Sequence, residues 1–260
     1  MIQQIKDGYV KTENHKGVTT IEFFHPKRNS LPAKILETLA TEIHLAGKDD
    51  DTKVIILRSE GEGTFCSGAS FDELLTLKTP AEGLHFFNGF ANVMNAIRRC
   101  PKFIIGRIQG KCVGGGVGLA AAVDYAIALI TADVKLSELE VGIGPFVVGP
   151  AVERKIGLAA FSTLSIDAHT WRGSDWAKQK GLFSELHETV ANMDASINRL
   201  AGTLAISNPE AMAEMKKVFW AGTEHWDELL KERAAISGRL VLEDFSKKAI
   251  EKFKAKKKQG

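Results

Sequence analysis

Residues 103–130 read FIIGRIQGKCVGGGVGLAAAVDYAIALI, and their pattern decides the fold. Phe103-Ile104-Ile105-Gly106-Arg107-Ile108 is a short apolar run, as expected of a strand covered on both faces. Gly114-Gly115-Gly116 interrupts the chain, and residues 117–123 read as a helix rich in small residues. Tyr125-Ala126-Ile127-Ala128-Leu129-Ile130 is a strand again. Strand, helix, strand is the α/β signature, and the crossover makes the two strands parallel.

Upstream, Val54-Ile55-Ile56-Leu57 is another buried strand. The spacing before it predicts a helix over 33–46, with Ile35, Leu36, Leu39 and Ile43 on one face. Asn29-Ser30-Leu31-Pro32 offers that helix a cap and a first-turn proline. Val18 to Phe24 is β-branched and aromatic, a strand ending at His25-Pro26. A short helix is expected at 71–75 and an amphipathic one over 86–99, stopped by Pro101. From Ala151 the chain is mainly helical, with Pro209 opening a long helix and one or two more over 226–253. The expectation is an α/β core over 1–195 and a helical region over 196–260.

Composition excludes several classes. Of 260 residues, 44% are hydrophobic and 25% charged, so the chain has enough apolar material to fold. No window reaches the ~18 uninterrupted apolar residues of a membrane span. The opening MIQQIKDGYVKTENHKG lacks a secretion pattern, so a cytoplasmic location is expected. Cys66, Cys100 and Cys112 cannot all pair, and no disulfide framework is indicated. A net charge of +2 argues against nucleic-acid binding. The lysine run 252, 254, 256, 257, 258 reads as a solvated helix end. The seven histidines are scattered without ligand spacing, so no metal is expected.

Glycine is less evenly spread. Fifteen of the 24 glycines lie between Gly61 and Gly157, which suggests backbone closely approached by a ligand, or tight turns around a site. Residues 109–118 leave a buried strand and enter a helix, whose first N–H groups are free to bind an anion or developing oxyanion. A tight strand-to-helix turn would use the same glycines. Thr64 to Leu74 makes a similar strand-to-helix passage. Two such segments converging would supply two N–H donors, the number that an oxyanion hole needs.

Together these segments resemble a family. Phe65-Cys66-Ser67-Gly68-Ala69 resembles the FxAGAD-type motif of the crotonase (enoyl-CoA hydratase/isomerase) superfamily. Ile108-Gln109-Gly110 through Gly114-Gly115-Gly116, then Leu119-Ala120 and Asp124, resembles its NGxxxGGGxxLAxxCD motif. Leu136 to Pro145 resembles the LPExxLGLIP stretch, and Pro26-Lys27-Arg28-Asn29-Ser30-Leu31 the RPxxxNAL segment. Four motifs in order and register are specific, and they span nearly the whole chain.

The resemblance implies the crotonase fold, repeated ββα units followed by helices that assemble a homotrimer or a dimer of trimers. It implies an acyl-CoA thioester substrate and no cofactor beyond the coenzyme A of that substrate. Ala69 and Gly115 match the oxyanion-hole positions. Ser67, Gly68, Ser70 and Gly114 match substrate-binding positions. Lys27 and Arg28 fall where members meet the adenine or phosphates of coenzyme A, although a surface pair fits as well. Two fixed donors would stabilise a thioester enolate by roughly 3 kcal/mol each.

Family hydratases use two glutamates, and this sequence matches one. The first position holds Gly118; the second holds Glu138, which the resemblance makes the general acid/base. A carboxylate facing an apolar acyl pocket gains a raised pKa suited to proton shuttling. Glu140 reads as a surface residue and Asp124 as a structural one. One carboxylate fits a 1,3-proton transfer, from C2 of a 3-enoyl thioester to C4. The apolar Pro145-Phe146-Val147-Val148 lacks the aspartate of dienoyl-CoA isomerases. Hydration stays open, because 143–150 is similar to the methylglutaconyl-CoA hydratase-like branch; in that case Gly118→Glu is expected to raise it. The alternative of another class is a non-catalytic acyl-CoA binding or scaffold protein.

Overall fold

The computed structural model describes residues 1–5 and 7–257. Its strands are β1 (Ile2–Ile5), β2 (Gly8–His15), β3 (Val18–Phe24), β4 (Val54–Ser59), β5 (Phe103–Ile108), β6 (Cys112–Val113), β7 (Tyr125–Leu129), β8 (Val134–Lys135) and β9 (Glu185–His187). The helices are α1 (Ala33–Lys48), α2 (Phe71–Leu74), α3 (Pro80–Arg99), α4 (Gly115–Ala122), α5 (Gly149–Ile166), α6 (Ser174–Gln179), α7 (Val190–Ala205), α8 (Pro209–Phe219), α9 (Trp226–Leu240) and α10 (Asp244–Lys257).

Seven strands form one sheet in the order β1-β2-β3-β4-β5-β7-β9. β1, β2 and β3 pair antiparallel, and from β3 onward every pairing is parallel. The central strands are apolar throughout because helices cover both faces. Ile55, Leu57 and Ile104 point into the main core with Ile35, Leu39 and Ile97 of α1 and α3. Their neighbours Val54, Ile56 and Ile105 point the other way, onto Met193, Ile197 and Ala201 of α7. That alternation is the period-2 geometry of a strand.

Two expectations need correction, and one strand was not expected. The boundary at 195/196 cuts α7, whose buried residues lie on both sides of it and pack on the sheet, so α7 belongs to the core. The stretch after Ala151 is mainly helical, as expected, but β9 adds a sheet strand, invisible in sequence because it has three half-buried residues and no apolar run. The amphipathic helix starts at Pro80, where a capping box between Thr79 and Glu82 and a first-turn proline set its N-terminus. Of the lysine run, Lys258 lies outside the described residues, as do the side chains of Lys256 and Lys257.

Asp124 is structural. It accepts from the backbone N–H of Ile104 at 2.7 Å, from Lys216 Nζ at 2.8 Å and from Trp220 Nε1 at 3.4 Å. Lys216, only 2% exposed, thereby ties α8 to the end of α4. No helix among the described residues is long and apolar enough to cross a membrane.

Candidate active site

β6 and β8 form a second, two-stranded sheet that assembles the site. A parallel bridge joins Cys66 to Cys112; Val113 N–H donates to the Cys66 carbonyl at 2.9 Å, and Cys66 N–H to Lys111 at 3.3 Å. This bridge aligns the 65–69 segment beside the start of α4. The two strand-to-helix segments thus converge. Burial pushes the Cys66 thiol up to about 12, which leaves it an inert packing group.

Ala69 pairs with Leu31, which donates to the Gly68 carbonyl at 2.8 Å and accepts from Ser70 N–H at 3.3 Å. In that parallel pattern the Ala69 N–H points away from Leu31 and has no acceptor among the described residues. Gly115 is the first residue of α4, so its N–H lacks an intrahelical partner. The two backbones touch: a Cβ on Gly68 would lie 3.3 Å from Gly115 N.

Glu138 stands beside them. Gly114 N–H donates to the Lys135 carbonyl at 2.9 Å, which brings the chain after β8 alongside α4. The Glu138 carbonyl accepts from Val141 N–H at 3.2 Å and Ile143 N–H at 2.9 Å, so a single 3₁₀ turn over Leu139–Val141 fixes the residue. Glu138 Oε2 is buried and makes no hydrogen bond. Burial pushes the carboxyl up to about 7, against a smaller opposing pull from its own backbone N–H. Gly114 has φ 52°, and a Cβ there would sit 2.9 Å from Glu138 Oε1. Only glycine serves both demands.

Ser67, Gly68, Ala69, Gly114, Gly115 and Glu138 line one cavity. Ser70, Lys27 and Arg28 do not. Ser70 is buried as the residue preceding α2. Lys27 is exposed at the rim, where its carbonyl accepts from Ser67 Oγ at 3.2 Å and its ammonium pairs with Asp72. Arg28 is exposed with φ 56°. Glu140 is not the surface residue expected: its side chain is 8% exposed and pairs with Lys135. The 3₁₀ turn, in place of a strand, turns it away from Glu138.

The remaining walls are apolar, including Phe87, Phe90, Phe146 and Val148. The sequence shows 86–99 as an amphipathic helix and 145–148 as an apolar stretch, but not that the two meet in one cavity. Val148 answers the question raised by Gly118. A Cβ on Gly118 would lie 2.5 Å from Val148 Cγ1 and 2.7 Å from its Cβ. The room for a side chain at 118 is filled, so the expectation that Gly118→Glu alone raises hydration is corrected. Glu138 is the one ionisable residue among the described residues that line the cavity.

The sequence profile of the enoyl-CoA hydratase/isomerase family matches residues 13–259. The chain belongs to the enoyl-CoA hydratase/isomerase family. Among its relatives, the rat mitochondrial methylglutaconyl-CoA hydratase is 31% identical over 201 residues, 76% of this chain and 63% of the relative. The chain therefore matches less than two thirds of that relative's length. A probable enoyl-CoA hydratase of Bacillus subtilis is 28% identical over 93% of both chains. In three dimensions, the enoyl-CoA hydratase of Bacillus halodurans superposes with a TM-score of 0.86 at 23% identity, covering 94% of this chain and 99% of that one. That structural likeness establishes the fold.

Proposed function

We propose that the protein is an enoyl-CoA isomerase that moves a double bond with one carboxylate. The observation carrying this reading is the solitary Glu138, whose Oε2 is buried without a hydrogen bond and whose carboxyl is poised near neutral pH beside two free backbone donors. The thioester carbonyl accepts from the N–H groups of Ala69 and Gly115. Ionised Glu138 takes a proton from C2 of a 3-enoyl thioester, and the electron pair moves onto the carbonyl oxygen as an enolate. The donors strengthen as charge develops there. Collapse of the enolate draws the proton from Glu138 to C4, which yields the conjugated 2-enoyl thioester and restores the carboxylate. Exposed Arg28 and Lys27 meet the nucleotide end of coenzyme A, and the protein assembles as a trimer or a dimer of trimers.

Hydration is the second reading, favoured by the relatives' names. The apolar wall of Val148 at Gly118 favours isomerisation, because no second acid lines the cavity among the described residues to activate a water. Incubation with 3-enoyl and 2-enoyl thioesters separates the cases. Isomerisation raises the conjugated-enoyl absorbance from the 3-enoyl ester; hydration lowers it from the 2-enoyl ester. Glu138→Gln is expected to remove nearly all turnover while retaining thioester binding. Substantial turnover by that variant overturns the role of Glu138, and silence with every ester points to a binding protein.

A further inference from the structure

Three serines line the cavity, and the proposed reaction uses none of them. Ser67 donates to the Lys27 carbonyl, and Ser137 adjoins Glu138. Ser237 comes from α9, is 1% exposed, and its hydroxyl makes no hydrogen bond with any described residue. A helical serine or threonine commonly donates to the carbonyl four residues back. Thr38 does so to Lys34 at 2.8 Å and Ser165 to Phe161 at 2.8 Å; Ser237 does not. A buried hydroxyl without a partner is destabilising, so one that faces a cavity is a place for a ligand atom.

Its position follows from α3. The backbones of Gly83 and Gly238 touch, since a Cβ on Gly83 would lie 2.3 Å from the Gly238 carbonyl oxygen. Phe90, seven residues along α3 from Gly83, packs on Gly115. Helical rise places these two contacts roughly 10 Å apart. Ser237, next to Gly238, thus sits about two turns of α3 from the Phe90 contact with Gly115, where an acyl chain whose thioester occupies the oxyanion segment would bring its tail. Among the described residues no lysine, arginine or histidine lines the cavity, and the one charged group there is an acid. A carboxylate in the tail would be buried without a counter-charge, which is costly. A neutral oxygen would not.

We propose that Ser237 determines specificity by selecting acyl chains with a neutral oxygen, a ketone or hydroxyl, several carbons beyond the thioester. This rests on the acyl-thioester reading of the cavity and names its substrate class. The test uses saturated acyl-CoA thioesters of equal length, which bind without reacting. One carries a hydrocarbon tail, others a ketone at successive carbons from the fifth onward, and one a terminal carboxylate. Binding to the full chain is measured by calorimetry. One ketone position is expected to bind about three- to tenfold tighter than the hydrocarbon, the net worth of one hydrogen bond. The carboxylate binds weakest, and Ser237→Ala brings the ketone-to-hydrocarbon ratio to about one. A hydrocarbon that binds as well as every ketone, a preference unchanged in Ser237→Ala, or a carboxylate that binds tightest overturns the proposal. Turnover through Glu138 is not read here, so the isomerase reading stands or falls separately; failure of every thioester to bind overturns both.

Discussion

Replacing Glu138 with glutamine is expected to stabilise the protein at neutral pH while abolishing turnover. The reason lies in proton linkage. Burial raises the Glu138 carboxyl from 4.5 to about 7 in the folded chain. Below pH 4.5 the group is protonated in both folded and unfolded states and contributes no difference. Between 4.5 and 7 the folded state keeps a proton that the unfolded chain releases, so stability falls as pH rises through that window. Above 7 the fold holds a buried charge, and the loss is complete. At about 1.4 kcal/mol for each tenfold change in proton affinity, it comes to about 3 kcal/mol. Glutamine keeps the shape of the protonated acid and never ionises. The variant should therefore match the parent near pH 4 and exceed it by about 3 kcal/mol at pH 8, a rise in Tm of roughly 6–10 °C for a chain of this size. Urea unfolding of both proteins across pH 4–8 gives the difference curve, in which other titrating groups cancel. A flat curve, or a less stable variant at pH 8, means that the carboxylate is solvated or paired and is not a poised base.

Three further outcomes are expected. Gly118→Glu alone should lose about 1–3 kcal/mol in urea unfolding from overpacking against Val148; adding Val148→Gly should restore stability and bring in hydration of 2-enoyl thioesters, and a single variant as stable as the parent contradicts the packing argument. Asp124→Asn leaves the buried Lys216 ammonium uncompensated and should cost about 3–5 kcal/mol, largely recovered in Asp124→Asn with Lys216→Met; equal stability of the first variant and the parent contradicts this. The exposed Met215 and Val218 of α8 are expected to be covered in a trimer, so Met215→Asp with Val218→Asp should yield a monomer in sedimentation; an unchanged mass rules that face out.

Much of this was legible in the chain. The buried strands announced themselves as short apolar runs, and the glycine cluster marked where two segments meet. Glu138 was legible only through its motif, because a single glutamate near a strand end has no periodicity to distinguish it. Glu140 was read as a surface residue from its motif position, and nothing local showed that the Leu139–Val141 turn would bring it to Lys135. Val148 and Ser237 were invisible, since nothing local says that 148 meets 118 or that 237 meets the cavity. β9 and the attachment of α7 to the sheet likewise depend on distant partners rather than on local pattern.

The fit between Gly118 and Val148 also bears on how such a protein can change over generations. An acid arriving at 118 first meets a full site, and a smaller residue arriving at 148 first leaves a void. Each step alone lowers stability before the pair can offer a new activity, so the effects of the two positions are strongly non-additive. The route between the two chemistries is a valley rather than a slope. Descendants of this chain would tend to keep both residues or exchange both, and the two positions should co-vary among its relatives.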